Sequence, residues 1–130
     1  MADSLTHVQA VLDLLNADPD VTAYLGKRGD VTPCVVLYPD AGTAESSSLT
    51  PNEDVVVYIP LHAVGVGPEQ AVWVMDKARS ILTFAQPTVT GRHVHPMWQE
   101  QGPTPLQRDD GVQPPLFTSF AEFGMRSQPS

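Results

Sequence analysis

The chain has 130 residues, with 15 acidic and 7 basic side chains and a formal charge of -8, which is the length of one domain able to bury a core without disulfide or metal staples. The single cysteine excludes an internal disulfide, and the acidity disfavours direct binding to a phosphate backbone. No segment approaches the ~20 apolar residues of a membrane span, and the N-terminus lacks the basic and apolar regions of a signal peptide, so a soluble intracellular chain is expected.

Taken in order, Ser4 is placed to cap a first helix in which Leu5, Val8, Val11, Leu12 and Leu15 form one apolar stripe ending at Asn16-Ala17-Asp18. Asp18-Pro19 reads as a second start signal, with Val21, Tyr24 and Leu25 on a short turn of helix closed by Gly26. Pro33 to Tyr38 is a short, mostly apolar strand. Cys34 lies within it and reads as a small buried residue, since a reactive thiol needs an electropositive, partly open site.

Ala41 to Glu53 has no hydrophobic periodicity and is rich in Gly, Ser, Thr and Pro, so it is expected to be a mobile loop that orders on assembly. From Asp54 to Val64 the residues alternate, with Val55, Val57, Ile59, Leu61 and Ala63 on one side and Asp54, Tyr58, Pro60 and His62 on the other. Gly65, Gly67 and Pro68 end this strand and open a helix predicted over Pro68 to Phe84, whose stripe Ala71, Val74, Met75, Ala78, Ile81 and Leu82 faces a sheet. Arg92 to Gln101 is a further strand that must lie at an edge or carry a bulge, because Pro96 cannot donate to a ladder. Gly102 to Pro115 is a polar loop with the turn signal Asp109-Asp110-Gly111, and Leu116 to Arg126 closes the sheet. The expected fold is α+β: a mixed, largely antiparallel sheet of about four strands with the two long helices on one face. Residues 1–126 form a single domain and 127–130 a frayed tail.

Catalytic constellations are not visible. Gly65-Val66-Gly67 lacks the third glycine and the lysine of the nucleotide motifs. The carboxylate pairs Glu53-Asp54 and Asp109-Asp110 sit in loops where adjacent acids form turns, and Ser46, Ser47 and Ser48 have no histidine or strand-to-helix elbow beside them. His62, His93 and His95 alone have the flavour of metal ligands, without further ligands at a useful spacing. No cofactor or metal is expected. The more informative feature is on the back of the second helix, where Trp73 and Phe84 point away from the core stripe with Lys77 beside Trp73. Either another segment of the chain covers these aromatics or a neighbouring subunit does.

The opening Val8-Gln9-Ala10-Val11-Leu12-Asp13-Leu14-Leu15, the aliphatic strand before Glu69 to Leu82, and the ending Trp98-Gln99-Glu100, Arg108-Asp109-Asp110-Gly111 and Leu116 to Phe123 carry a likeness in element order and texture over nearly the whole chain. In these the chain resembles the tail terminator (tail completion) proteins of long-tailed siphophages. The resemblance implies a hexameric ring on the head-proximal end of the tail tube, which stops tube polymerisation and meets the head-tail connector or stopper protein. It implies no catalysis, a location at the neck of the virion, and DNA passing through the lumen without specific binding. On this reading Trp73, Lys77 and Phe84 are subunit-interface residues, the loop residues Glu45, Ser46, Ser47, Ser48 and Leu49 contact the tube or neck, and Asp40, Glu45, Glu53 and Asp54 are lumen acids that repel DNA. A different neck protein, such as a head-completion or stopper protein, shares these properties, and a small metal-dependent enzyme built on the three histidines is a more distant alternative.

Overall fold

The computed structural model describes residues 4–29, 31–38, 55–112 and 114–129. Within them the order is α1 (Ser4–Asn16), β1 (Ala23–Leu25), β2 (Cys34–Leu37), β3 (Val55–Gly65), α2 (Pro68–Leu82), β4 (Arg92–Val94), β5 (Trp98–Gln101), β6 (Gln107–Asp109) and β7 (Leu116–Pro129). The two apolar alternations expected to dominate the sheet do so, because β3 and β7 pair antiparallel from Val55↔Ser127 to Gly65↔Phe117. This register puts Val57, Ile59 and Leu61 on the same side as Met125, Phe123 and Ala121, so both strands bury the same face. Helix α1 lays Val8, Val11 and Leu15 on that face, and α2 adds Ala71, Val74, Met75, Ala78 and Leu82; all are buried in one core. Gly65 is needed where β3 turns into α2, since a Cβ there would stand 2.6 Å from the Ala71 backbone nitrogen.

The class is therefore α+β, with both helices against one side of a mixed sheet. The strands run β1-β2-β3-β7-β4, with β5 and β6 also paired to β7; only β1 and β2 are parallel. Among the described residues seven strands stand where about four were expected, and the extra ones are short pieces whose state is set by a partner rather than by periodicity. Residues 23–25, expected in a turn of helix, form β1. The Asn16 side chain holds both backbone groups of Ala23 (Nδ2 to Ala23 O 3.1 Å; Ala23 N to Oδ1 2.8 Å), and Gly26 N–H donates to Leu37 O, so pairing with β2 overrides the helix-start signal. The segment 92–101 is split at Pro96 into β4 and β5, and between them Met97 turns back to receive and donate hydrogen bonds at residues 84 and 85. Strand β6 forms inside the expected polar loop, where Gln107, Arg108 and Asp109 pair with Thr118, Phe117 and Leu116. The expected frayed tail is instead the end of β7, which runs to Pro129 with Ser127 buried.

Ser127 is buried because it joins three elements. His7 Nε2 of α1 lies 2.7 Å from its Oγ, and Arg92 of β4 donates to the same Oγ at 2.8 Å and to its carbonyl oxygen at 3.2 Å. This polar knot ties the first turns of α1 to the far end of the sheet.

Candidate functional site

The outward side of α2 is where exposed apolar residues gather. An α-helix repeats every 3.6 residues, so with Ala71, Val74 and Met75 committed to the core, Val72 and Trp73 are turned outward. They remain 46% and 44% exposed. With Pro68, Glu69 and Asp76 they line a groove of about 460 Å³. A smaller cleft of about 180 Å³ adjoins it, sharing Val72 and Asp76 and bounded beyond by Pro103, Pro105 and Leu106. That far wall is held firmly. Thr104 N–H donates to Phe120 O at 2.9 Å, Ser119 Oγ donates to Thr104 O at 2.8 Å, and Phe120 N–H donates to Thr104 Oγ1 at 3.0 Å.

Lys77 stands at the border of this surface. Its ammonium is 5.9 Å from the Trp73 ring centroid and 3.2 Å from the Asp20 carboxylate, so it orients the indole and ties α2 to the segment after α1. Each contact is partly exposed and contributes no more than about 1 kcal/mol. The two carboxylates on the groove, Glu69 and Asp76, give its rim negative charge; Arg79 lies 3.7 Å from Asp76 on the side away from the groove's mouth residues Pro68 and Glu69.

Phe84 is outside α2 rather than at its last turn. The helix stops at Leu82, Thr83 takes an extended conformation, and Phe84 adopts a left-handed backbone with φ 63°. Such a conformation costs a non-glycine residue roughly 1–2 kcal/mol. It is held by Phe84 N–H donating to Met97 O at 2.9 Å and Met97 N–H donating to Ala85 O at 2.8 Å. The consequence is a phenyl ring that is 76% exposed on a fixed backbone.

The other expected site residues distribute as follows. Asp40, Glu45, Ser46, Ser47, Ser48, Leu49, Glu53 and Asp54 lie outside the described residues. His93 and His95 are neighbours, with ring centroids 5.0 Å apart, and His95 reaches Gln128 at 3.1 Å. His62 pairs across from Phe120, whereas His93 and His95 join β7 at Gln128 and Arg126; that separation is roughly 20–27 Å along the strand, too far for a shared ion. Among the described residues no three His, Cys, Asp or Glu side chains are grouped to hold a metal. Cys34 is fully buried, and burial pushes its thiol above the usual range, partly offset by the charge of Arg28, which is the opposite of nucleophile activation. Asp109 and Asp110 act as turn formers, with Gly111 N–H donating to Asp109 Oδ1 at 2.9 Å and Arg108 paired to Asp110 at 2.6 Å.

A second surface was not visible as a unit in the sequence. On the sheet face opposite the helices, Tyr38, just after β2, His62 of β3 and Phe120 of β7 meet edge to face, with ring centroids 4.9 Å and 5.3 Å apart. Tyr58 and Trp98 continue the aromatic band at 6.4 Å, and Gly124 provides the space on which the indole lies. Partial burial in this band lowers the pKa of His62. The alternation of Tyr58 and His62 on one side of β3 was the available signal, but their ring partners Tyr38, Trp98 and Phe120 come from other, distant segments of the chain.

No family model and no curated protein matches this chain. In fold, the chain is an α+β unit that has counterparts among solved structures. One is a chain in the virion of the native gene transfer agent particle, at TM-score 0.66 and 15% identity, with 92% of this chain and 92% of that chain covered. At this identity the likeness is one of fold, and it extends over both chains nearly end to end.

Proposed function

We propose that this protein is a structural component of a virion, and more specifically that it is a tail terminator: a ring-forming subunit that caps the head-proximal end of the tail tube, ends tube polymerisation and joins the tail to the head connector. The observation that carries the reading is the end-to-end likeness of fold to a chain of a virion particle. The outward Trp73 of α2 and Phe84 just beyond its end support it, because a ring subunit must expose apolar surface that only assembly covers. The formal charge of -8 also suits a ring through which DNA slides, since repeated acidic subunits repel the phosphate backbone.

The test is assembly. Tail-tube protein and its length-setting scaffold, mixed with this chain, should yield tubes of uniform length with an extra ring at one end in electron micrographs; without it the tubes should overgrow. Unchanged tube lengths with no end-bound ring would overturn the terminator role in favour of a different neck protein, which would instead bind the head connector.

A further inference from the structure

We infer that the groove on α2 is the seat for the Phe84 side chain of a second copy of this chain, so that copies join head to tail along this helix. The inference rests on the reading of the chain as a ring subunit and names the contact that would build the ring. Phe84 is a phenyl ring held outward on a left-handed backbone, and the groove is an open apolar slot floored by Val72 and Trp73. Strained residues of this kind concentrate where a fixed geometry is used for contact.

The two parts lie at opposite ends of one helix. From Trp73 to Leu82 the helix rises roughly 14 Å and Phe84 lies beyond its end, so no copy can fill its own groove and the occupant must come from another molecule. A contact between unlike patches is heterologous, and such contacts close into rings when the rotation between copies allows. Charge supports this occupant in an otherwise acidic chain. The groove carries the carboxylates of Glu69 and Asp76, the latter facing Arg79 of its own helix, whereas residues 80–99, which surround Phe84 in sequence, contain no acidic residue and include Arg92, His93 and His95. The Phe84 end therefore approaches the acidic rim without the repulsion that most other parts of the surface would bring.

The experiment is native mass spectrometry and sedimentation on the full chain, on Phe84→Gly, on Trp73→Glu, and on an equimolar mixture of the two variants. Glycine accepts the left-handed backbone, so Phe84→Gly should fold at least as well as the parent while losing the ring that fills the groove. Each variant alone should show self-association weakened by at least about 30-fold, as expected for loss of an anchor aromatic. In the mixture, the intact Phe84 of one variant and the intact groove of the other should make a single contact, giving heterodimers and no rings. If the parent assembles and both variants assemble equally well, copies meet through another surface; the ring reading survives and this contact is wrong. Monomeric variants that form no heterodimer would also overturn the pairing. Variants that self-assemble normally but fail to bind tail-tube ends would assign the groove to the tube protein instead. A parent that stays monomeric, alone and with tubes, would remove the ring reading and this contact with it.

Discussion

The two sides of α2 both carry large apolar side chains, and these meet different fates. On the inner side Val74, Met75, Ala78 and Leu82 are no more than 2% exposed, whereas Val72 and Trp73 on the outer side keep nearly half of their surface in water. The outer side sets Val72 and Trp73 among Glu69, Asp76 and Lys77, so an apolar side chain on this helix is not by that fact a core residue. What separates them is whether the rest of the chain supplies a partner: β3 and β7 do so for the inner stripe, and the described residues leave the outer one open apart from Lys77 at its edge.

The difference should appear most strongly in Leu82→Ala. It removes a fully buried side chain from between α2 and the sheet, and unfolding by denaturant should show a loss of about 2–5 kcal/mol. A loss below 1 kcal/mol would mean that the inner face packs loosely and that the contrast between the two sides is weaker than the burial suggests.

An intermediate effect is expected on the sheet face opposite the helices, where His62 lies between Tyr38 and Phe120. Burial lowers its pKa in the folded chain below the usual 6.5. As the pH falls through 6.5 the unfolded chain takes up this proton before the folded chain does, so the contribution is fully present at higher pH and is lost progressively on acidification. Comparing denaturant stability across this range for the parent and His62→Gln isolates the effect from the carboxylates, which both proteins share. Parallel pH profiles would show that this side of the sheet is as wet as the outer side of α2.

The smallest expected effect on folding is that of Trp73→Ala, within about 0.5 kcal/mol of the parent once copies are dissociated, since the residue is exposed and its cation contact is weak. A large loss in the monomer would place Trp73 with the core.

Much of the core was legible because it rests on short-range periodicity. Val55 to Ala63 alternate, Ala71 to Leu82 repeat at helical spacing, and both patterns survive in the fold because the faces they define are buried. Trp73 was likewise identifiable as an outward aromatic from spacing alone. Phe84 was placed correctly as exposed but for an incomplete reason: helical spacing was extended two residues past the true end, and the left-handed turn depends on Met97, which the sequence does not bring near. Of the three-residue strands, β1 was read as a turn of helix, β4 as the start of one longer strand and β6 as loop, because segments so short have no period to read; their state depends on an available edge of β2 or β7.

By itself the sequence determined the α+β class, the buried faces of β3, α1 and α2, and the outward position of Trp73 on α2, since each follows from residue type and local repeat. Only the tertiary structure decided the seven-strand order, the Tyr38-His62-Phe120 band, the knot of His7, Arg92 and Ser127, and the separation of His62 from His93 and His95. These depend on register between strands distant in the chain, and a register is chosen by the sum of many weak contacts that no single stretch of sequence contains.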